Sequence, residues 1–265
     1  MIIDAHTHIF PDTSAESILK VTSQKFKVKI YGKGTAADLT AQMDESNISY
    51  AVIHMVAVNP KAAHLINTWL INLTEPRFIK FGTLHPQQQD FKQEIQRLKE
   101  NGIRGVKLQP DVQGFTVDDA ELTYPLYEEL AKSGLTVMFH VGGNPVPHTN
   151  QRSTPEMVLR VARDFPELTI IAAHLGGLNM WDEVTTTLAG RENIFLETSM
   201  TYENILPTVA EKIIKKHTPE KIFFGTDYPF APIKACVESA GKVSFLTQGE
   251  KEDLMGLNAH RFFQL

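Results

Sequence analysis

His6 and His8 stand two apart in the run Asp4-Ala5-His6-Thr7-His8. On an extended strand that spacing puts both side chains on one face. Two neutral imidazoles on one face can converge on a single metal ion at about 2.0–2.1 Å. Asp4, two residues earlier, is expected on the same face one layer deeper, as a carboxylate able to orient a ligating imidazole. Alone, a His-x-His pair more often means two ordinary histidines on a half-exposed strand. This pair has company. Lys107, His140, His174 and Asp227 each close a separate apolar run further along the chain.

Those runs are the elements that must position the chemistry. Short β-branched stretches predict strands at Ile2–Ile9, Tyr50–Val58, Phe78–Leu84, Ile103–Leu108, Leu135–Val141, Leu168–His174, Ile194–Thr198 and Lys221–Asp227. Helical segments fall between them. Phe91, Ile95 and Leu98 share a face that stops at Gly102, and Leu126 and Leu130 share one that stops at Gly134. Thr154-Pro155 reads as an N-cap with proline in the first turn, continued by Met157, Val161 and Phe165. Phe10 to Ala37 is the least regular stretch and reads as a loop or small excursion. Successive strand ends lie roughly 31 residues apart, the length of one βα repeat. Strict alternation means a parallel sheet with helices outside, and eight units fit a single-domain (β/α)8 TIM barrel over residues 1–265. A doubly wound open sheet would offer a glycine-rich turn after its first strand, and Ile9-Phe10-Pro11-Asp12 is not one. In a barrel the C-terminal strand ends meet in one mouth. Three ends carrying histidine, one carrying Asp227 and one carrying Lys107 therefore point to a metal site. His64 and His217 read as solvated helix positions, His260 as part of a C-terminal helix, and Trp69 and Trp181 as packing residues.

Composition narrows the partners. The 265 residues carry 26 Lys+Arg against 31 Asp+Glu, a net charge of −5, with no basic patch of the kind nucleic acid requires. The run Lys212–Lys216 holds Ile213 and Ile214 and reads as the solvated face of a helix. Cys236 is the sole cysteine, which fits a reducing compartment. No apolar run approaches the roughly 20 residues of a membrane span, and the first residues lack the charged start of a signal peptide. The expectation is a cytoplasmic protein acting on a small molecule, without nucleic-acid or membrane partners, with homo-oligomerisation an option.

With order and spacing in place, the chain resembles the amidohydrolase superfamily. It is closest to the amidohydrolase-related branch, which also contains decarboxylases of aromatic and muconate-type acids. The resemblance rests on Asp4-Ala5-His6-Thr7-His8, Gly105-Val106-Lys107-Leu108-Gln109-Pro110, Phe139-His140-Val141-Gly142, Ala173-His174-Leu175-Gly176-Gly177 and Phe224-Gly225-Thr226-Asp227-Tyr228-Pro229. Asn258-Ala259 with Arg261-Phe262 adds to it. The resemblance implies that His6, His8, His140 and Asp227 ligate a divalent metal, zinc first among candidates, and that Asp227 also takes the proton of the bound water. It implies that His174 serves as acid/base, stabilises charge on the substrate or holds a second metal. Lys107 would bridge two metals when carboxylated, or hold an anionic substrate where there is one.

Zinc lowers the pKa of its water from 15.7 to about 7, and an adjacent base shuttles the proton. The expected reaction is hydrolysis of an amide, lactone or other ester; the alternative is nonoxidative decarboxylation of an aromatic or muconate-type acid, with Lys107 and Arg152 as the cations. Further substrate contacts are expected from His85, from Asn144, His148 and Arg152 in the loop after His140, and from Tyr228. Many amidohydrolases add a β-sandwich built partly ahead of the first barrel strand; here His6 follows five residues and Asp227 precedes 38, so a bare barrel is expected.

Overall fold

The chain winds eight parallel strands in strict sequence order, each hydrogen-bonded to the next, in a computed structural model that describes residues 1–143 and 151–265. The first half runs β1 (Ile2–His8), α1 (Ala15–Phe26), α2 (Ala36–Glu45), β2 (Ile48–His54), α3 (Pro60–Ile71), β3 (Phe78–Thr83), α4 (Phe91–Glu100) and β4 (Gly105–Leu108). It continues through α5 (Pro110–Gln113), α6 (Tyr124–Ser133), β5 (Thr136–Phe139), α7 (Pro155–Asp164), β6 (Ile170–Ala172) and α8 (Trp181–Thr186). The chain then closes with β7 (Ile194–Glu197), α9 (Pro207–His217), β8 (Ile222–Phe223), α10 (Ile233–Gly241), α11 (Gln248–Glu252) and α12 (Asn258–Phe263). The Ala5 amide donates to the Phe224 carbonyl at 2.8 Å and the Asp227 amide to the His6 carbonyl at 2.9 Å. These bonds bring β8 back to β1 and make the sheet a barrel. The fold is a single-domain TIM barrel, as the repeat length implies.

Helix limits follow local chemistry. Thr154 caps α7 by accepting from the Met157 amide, with Pro155 in the first turn. Gly134 ends α6 in the left-handed region. The stretch read as irregular holds one real helix, α1, whose buried Ala15 and Leu19 pack with Phe10 in a small cluster of their own. Its apolar spacing is masked by the polar residues facing solvent.

Strand faces sort into two cores. Val106, Leu108, Val137, Phe139, Ile170, Ala172 and their like point outward beneath the helices. Ile3, Val52, Ile79, Phe81, Met138, Ile171 and Phe223 fill the barrel, plugged from below by Ala259 and Phe263 of α12. Side chains two apart share a face, so the next inward positions lie one layer toward the mouth: His54 above Val52, His140 above Met138, Glu197 above Phe195. β1 obeys this only with a register shift between Asp4 and Thr7. Ile3 and Ala5 join the interior core, and the irregularity turns His6 and His8 inward as well. The expected shared face of Asp4 and His6 is thereby lost. Asp4 instead accepts from the Thr226 amide (3.0 Å) and hydroxyl (2.6 Å) and ties β1 to β8. The observed strands are shorter than expected, most of all β8, which spans Ile222–Phe223 rather than Lys221–Asp227, and β2 ends at His54 rather than Val58. No described helix is long and apolar enough to cross a membrane.

Candidate metal centre

Three potential ligand atoms crowd together at the mouth. His6 Nε2 and His8 Nε2 are 3.3 Å apart, and Asp227 Oδ1 lies 3.3 Å from the first and 3.1 Å from the second. Asp227 Oδ1 is buried and makes no hydrogen bond. His6 Nδ1 donates to Glu197 Oε1 at 2.8 Å, which leaves a lone pair on Nε2 aimed at the other two. Lone pairs facing one another without a proton between them are unfavourable unless a cation sits among them. A tetrahedral ion with bonds of about 2.0–2.1 Å requires ligand atoms roughly 3.3–3.4 Å apart. The donor set and its spacing fit a divalent metal.

His54, at the end of β2, adds an imidazole that sequence reasoning missed. It is fully buried, its ring centroid is 4.3 Å from that of His8 and 4.8 Å from that of His6, and neither nitrogen is hydrogen-bonded. Ligand atoms of His6, His8 and His54 lie within 4.8 Å of one another, as do those of His6, His174 and Glu197. Reading β2 through to Val58 hid His54 in mid-strand. Glu197 was missed too. Fully buried at the end of β7, it accepts from His6 Nδ1, from the His174 amide at 2.8 Å, and from the Ser199 amide and hydroxyl at 2.7 and 2.8 Å. It has the orienting role expected of Asp4. Gly225 makes room for it, because a Cβ there would collide with Glu197 Oε2.

His140 and His174 meet beside this group. His174 Nε2 and His140 Nδ1 are 2.9 Å apart, and His140 Nε2 faces the Gly143 carbonyl at 3.3 Å. His174 Nδ1 is 2.8 Å from the Ser199 hydroxyl, which links it to Glu197. The structure thus places His140 against His174 rather than in the group of His6, His8 and Asp227. Lys107, fully buried, points its Nζ at His6 Nε2 from 3.5 Å. Two of these residues hold positive φ, His174 at 60° and Asp227 at 72°. Such backbone costs about 1–3 kcal/mol for a non-glycine residue and gathers at functional sites. The Glu197 carboxylate on the His174 amide and the His6 carbonyl on the Asp227 amide hold the two turns in place.

Burial governs the charges. It pushes the His8 and His174 imidazoles down to about 4 and those of His54 and His140 well below their ordinary value. It brings the Lys107 ammonium down to about 8, against the pull of Glu197 and Asp227. Burial opposes ionisation of the carboxylates too, but His6 and its neighbours outweigh it, holding Glu197 at about 2 and Asp227 well below the usual range. At His6 burial and Lys107 are outweighed by the Glu197 and Asp227 carboxylates, which raise the imidazole above its ordinary value, so a metal there competes with a proton. The other imidazoles are neutral and the carboxylates ionised, the forms in which both bind metals.

His8, His140 and Asp227 open onto a cavity of about 310 Å³ walled by α1, the segment after β2, Met200 and Phe230. Several expected contacts lie elsewhere. Tyr228 is buried, donating from its hydroxyl to Asp38 at 2.6 Å and accepting from the Gly34 amide at 3.1 Å, so it packs rather than covers the site. His85 faces the Gln113 carbonyl through Nε2 and accepts from the Gln87 amide, a loop-capping arrangement. The Arg152 amide donates to Asp111 Oδ1, and the residue is outside the described cavity wall. Asn144 and His148 lie outside the described residues. His217, expected in solvent, is buried and accepts from the Gly190 amide through Nδ1, because it falls on the buried face of α9 with Ile213 and Ile214.

The model of a family described as Amidohydrolase matches residues 3–265. No functionally curated protein matches the sequence. Among solved structures, 5-carboxyvanillate decarboxylase from Sphingomonas paucimobilis is similar at 16% identity and a TM-score of 0.74, covering 100% of this chain and 99% of that one. A dihydroxybenzoic acid decarboxylase from Polaromonas sp., with bound manganese and an inhibitor, is similar at 17% identity and a TM-score of 0.70, with 100% and 97% covered. A protein described as a 2-pyrone-4,6-dicarboxylic acid hydrolase from Pseudomonas putida is similar at 16% and 0.69, with 99% and 97% covered. At such identities the likeness is one of fold.

Proposed function

The chain belongs to the amidohydrolase family, whose model spans residues 3–265, and we propose that it is a metal-dependent hydrolase cleaving an amide, lactone or other ester bond of a small substrate. His6, His8 and Asp227 hold the ion, with His54 and His140 within the same mouth to complete its shell. Zinc is the first candidate, and the donor set of imidazole and carboxylate also suits manganese, the metal bound in the Polaromonas decarboxylase. A divalent ion there supplies Lewis acidity, making water acidic near neutral pH and polarising a carbonyl.

The chain's own groups do the rest. Asp227, ionised at neutral pH, accepts the proton of the attacking water. Asp227 then returns that proton to the departing oxygen or nitrogen, while His174, neutral and in contact with His140, stabilises the developing charge on the substrate. Glu197 keeps the His6 proton on Nδ1 and, through Ser199, fixes the ring of His174.

The observation that favours hydrolysis is the cavity wall. No lysine or arginine lines it among the described residues, and Asp227 faces into it. A carboxylate substrate would meet no side-chain cation there, whereas an uncharged carbonyl compound would meet no repulsion. Decarboxylation is the second reading, favoured by the likeness to two decarboxylases and by Lys107 below the site. Metal-loaded protein supplied with lactones, esters, amides and aromatic acids in isotopically labelled water separates them. Label in the product carboxyl is the expected result; release of carbon dioxide without label would overturn the hydrolytic reading.

A further inference from the structure

The cavity above the candidate metal centre has a one-sided chemistry. Ile18, Thr22 and Phe26 follow one another at four-residue intervals along α1, which places them on one face, and all three line the cavity. Opposite them stand Met55, Val56 and Val58 from the segment after β2. These side chains are half-buried or exposed, Val58 at 59%, and although Ile18 and Met55 also pack on the small cluster of Phe10, Ala15 and Leu19, all of them line the cavity. The polar groups of the described lining are concentrated at the floor, where His8, His140 and Asp227 lie; Thr22 and Gln109 are the exceptions on the walls. Neither wall belongs to the stretches that carry the metal-ligand pattern. The α1 wall comes from the segment whose sequence looked least regular.

We propose that this cleft is an apolar-arm subsite: the substrate is an uncharged carbonyl compound whose reacting carbon sits over His8 and Asp227. Its unbranched aliphatic or aryl-alkyl arm lies between α1 and the Met55–Val58 segment. The proposal rests on the hydrolytic reading for the reacting end and names the class of the other end. Thr22, in the middle of the α1 stripe, is the residue that sets how long an arm the cleft accepts. An acidic arm is disfavoured because the described wall offers it no cation.

The test uses the metal-loaded full chain and n-alkyl methyl ketones from butanone to decan-2-one, which bind without being hydrolysed. Calorimetry is expected to show binding tightening about fourfold for each added methylene until the cleft is full. Thr22→Trp is expected to end that rise at a shorter chain. A terminal carboxylate, as in 7-oxo-octanoate, is expected to weaken binding at least about tenfold relative to octan-2-one. Val58→Arg, at an exposed rim position whose change leaves the core untouched, is expected to reverse much of that loss. Affinity that stays flat along the series, or a carboxylate-ended ketone that binds the unaltered protein as tightly as its neutral counterpart, would overturn the proposal. If the ketone series tightens but no ester, lactone or amide is turned over, the apolar arm stands and the hydrolytic reading alone falls.

Discussion

Glu197→Gln changes one atom in the residue that orients the centre, and its cost can be worked from the bonds it makes. Oε1 accepts from His6 Nδ1, the His174 amide and the Ser199 hydroxyl, each at 2.8 Å, while Oε2 accepts from the Ser199 amide at 2.7 Å. The best-placed glutamine keeps its oxygen toward the three donors and turns its NH2 toward the Ser199 amide, setting donor against donor. A buried amide left without an acceptor costs about 1–3 kcal/mol. The three remaining bonds fall from charge-assisted to neutral strength, about 1 kcal/mol each. Relief from burying a carboxylate offsets several kcal/mol of this, so a net loss of about 2 kcal/mol is expected in metal-free protein. The effect on metal binding is separate. Without the carboxylate, His6 Nε2 is a weaker base and its ring is less firmly held, which typically costs 10–100-fold in affinity. Urea unfolding in the presence of chelator reads the first quantity, and a competition titration with a zinc indicator reads the second. Metal affinity within about twofold of wild type would refute the claim that Glu197 tunes the site.

Other expectations follow from the same geometry. Asp227→Asn removes a buried charge whose Oδ1 makes no hydrogen bond, so the fold should survive by circular dichroism while turnover falls at least about 10²-fold; retained activity would remove Asp227 from catalysis. Gly225→Ala sets a methyl group against Glu197 Oε2 and 3.2 Å from His6 Cβ, and a melting experiment should show a loss of about 1–3 kcal/mol. His217 is held neutral by burial, which brings its imidazole down to about 4 from an unfolded value of 6.5. Between those values the unfolded chain binds the extra proton, so its contribution is complete above pH 6.5 and is lost as pH falls toward 4. Over that window the loss is about 3 kcal/mol. Unfolding free energies of His217→Gln should therefore depend less on pH than those of wild type between pH 7 and 4.5, and parallel curves would contradict the assignment.

The barrel itself was legible because its signals are local. Each apolar β-branched run became a strand, and Thr154, Gly102 and Gly134 ended or began helices through their own backbone preferences. His6, His8, Lys107, His140, His174 and Asp227 stood out as candidates because they close such runs. His54 and Glu197 escaped for different reasons. His54 was lost to the apolar continuation Met55–Val58, which looks like strand but leaves the sheet to wall the cavity. Glu197 was within the expected strand and went unremarked, although counting two residues on from the inward Phe195 reaches it. The same count from Val52 reaches His54 and from Met138 reaches His140.

Residue order alone determined the fold class and the strand ends at which the chemistry gathers, because periodicity, turn residues and repeat length act within a few tens of residues. Which atoms meet was decided only by the closed barrel. The register shift in β1 turned His6 and His8 inward and sent Asp4 to Thr226. The carboxylate behind His6 came from β7, 191 positions away. Positive φ at His174 and Asp227 aimed both side chains. These outcomes depend on how strands far apart in sequence lie beside one another, and no local pattern carries that distance.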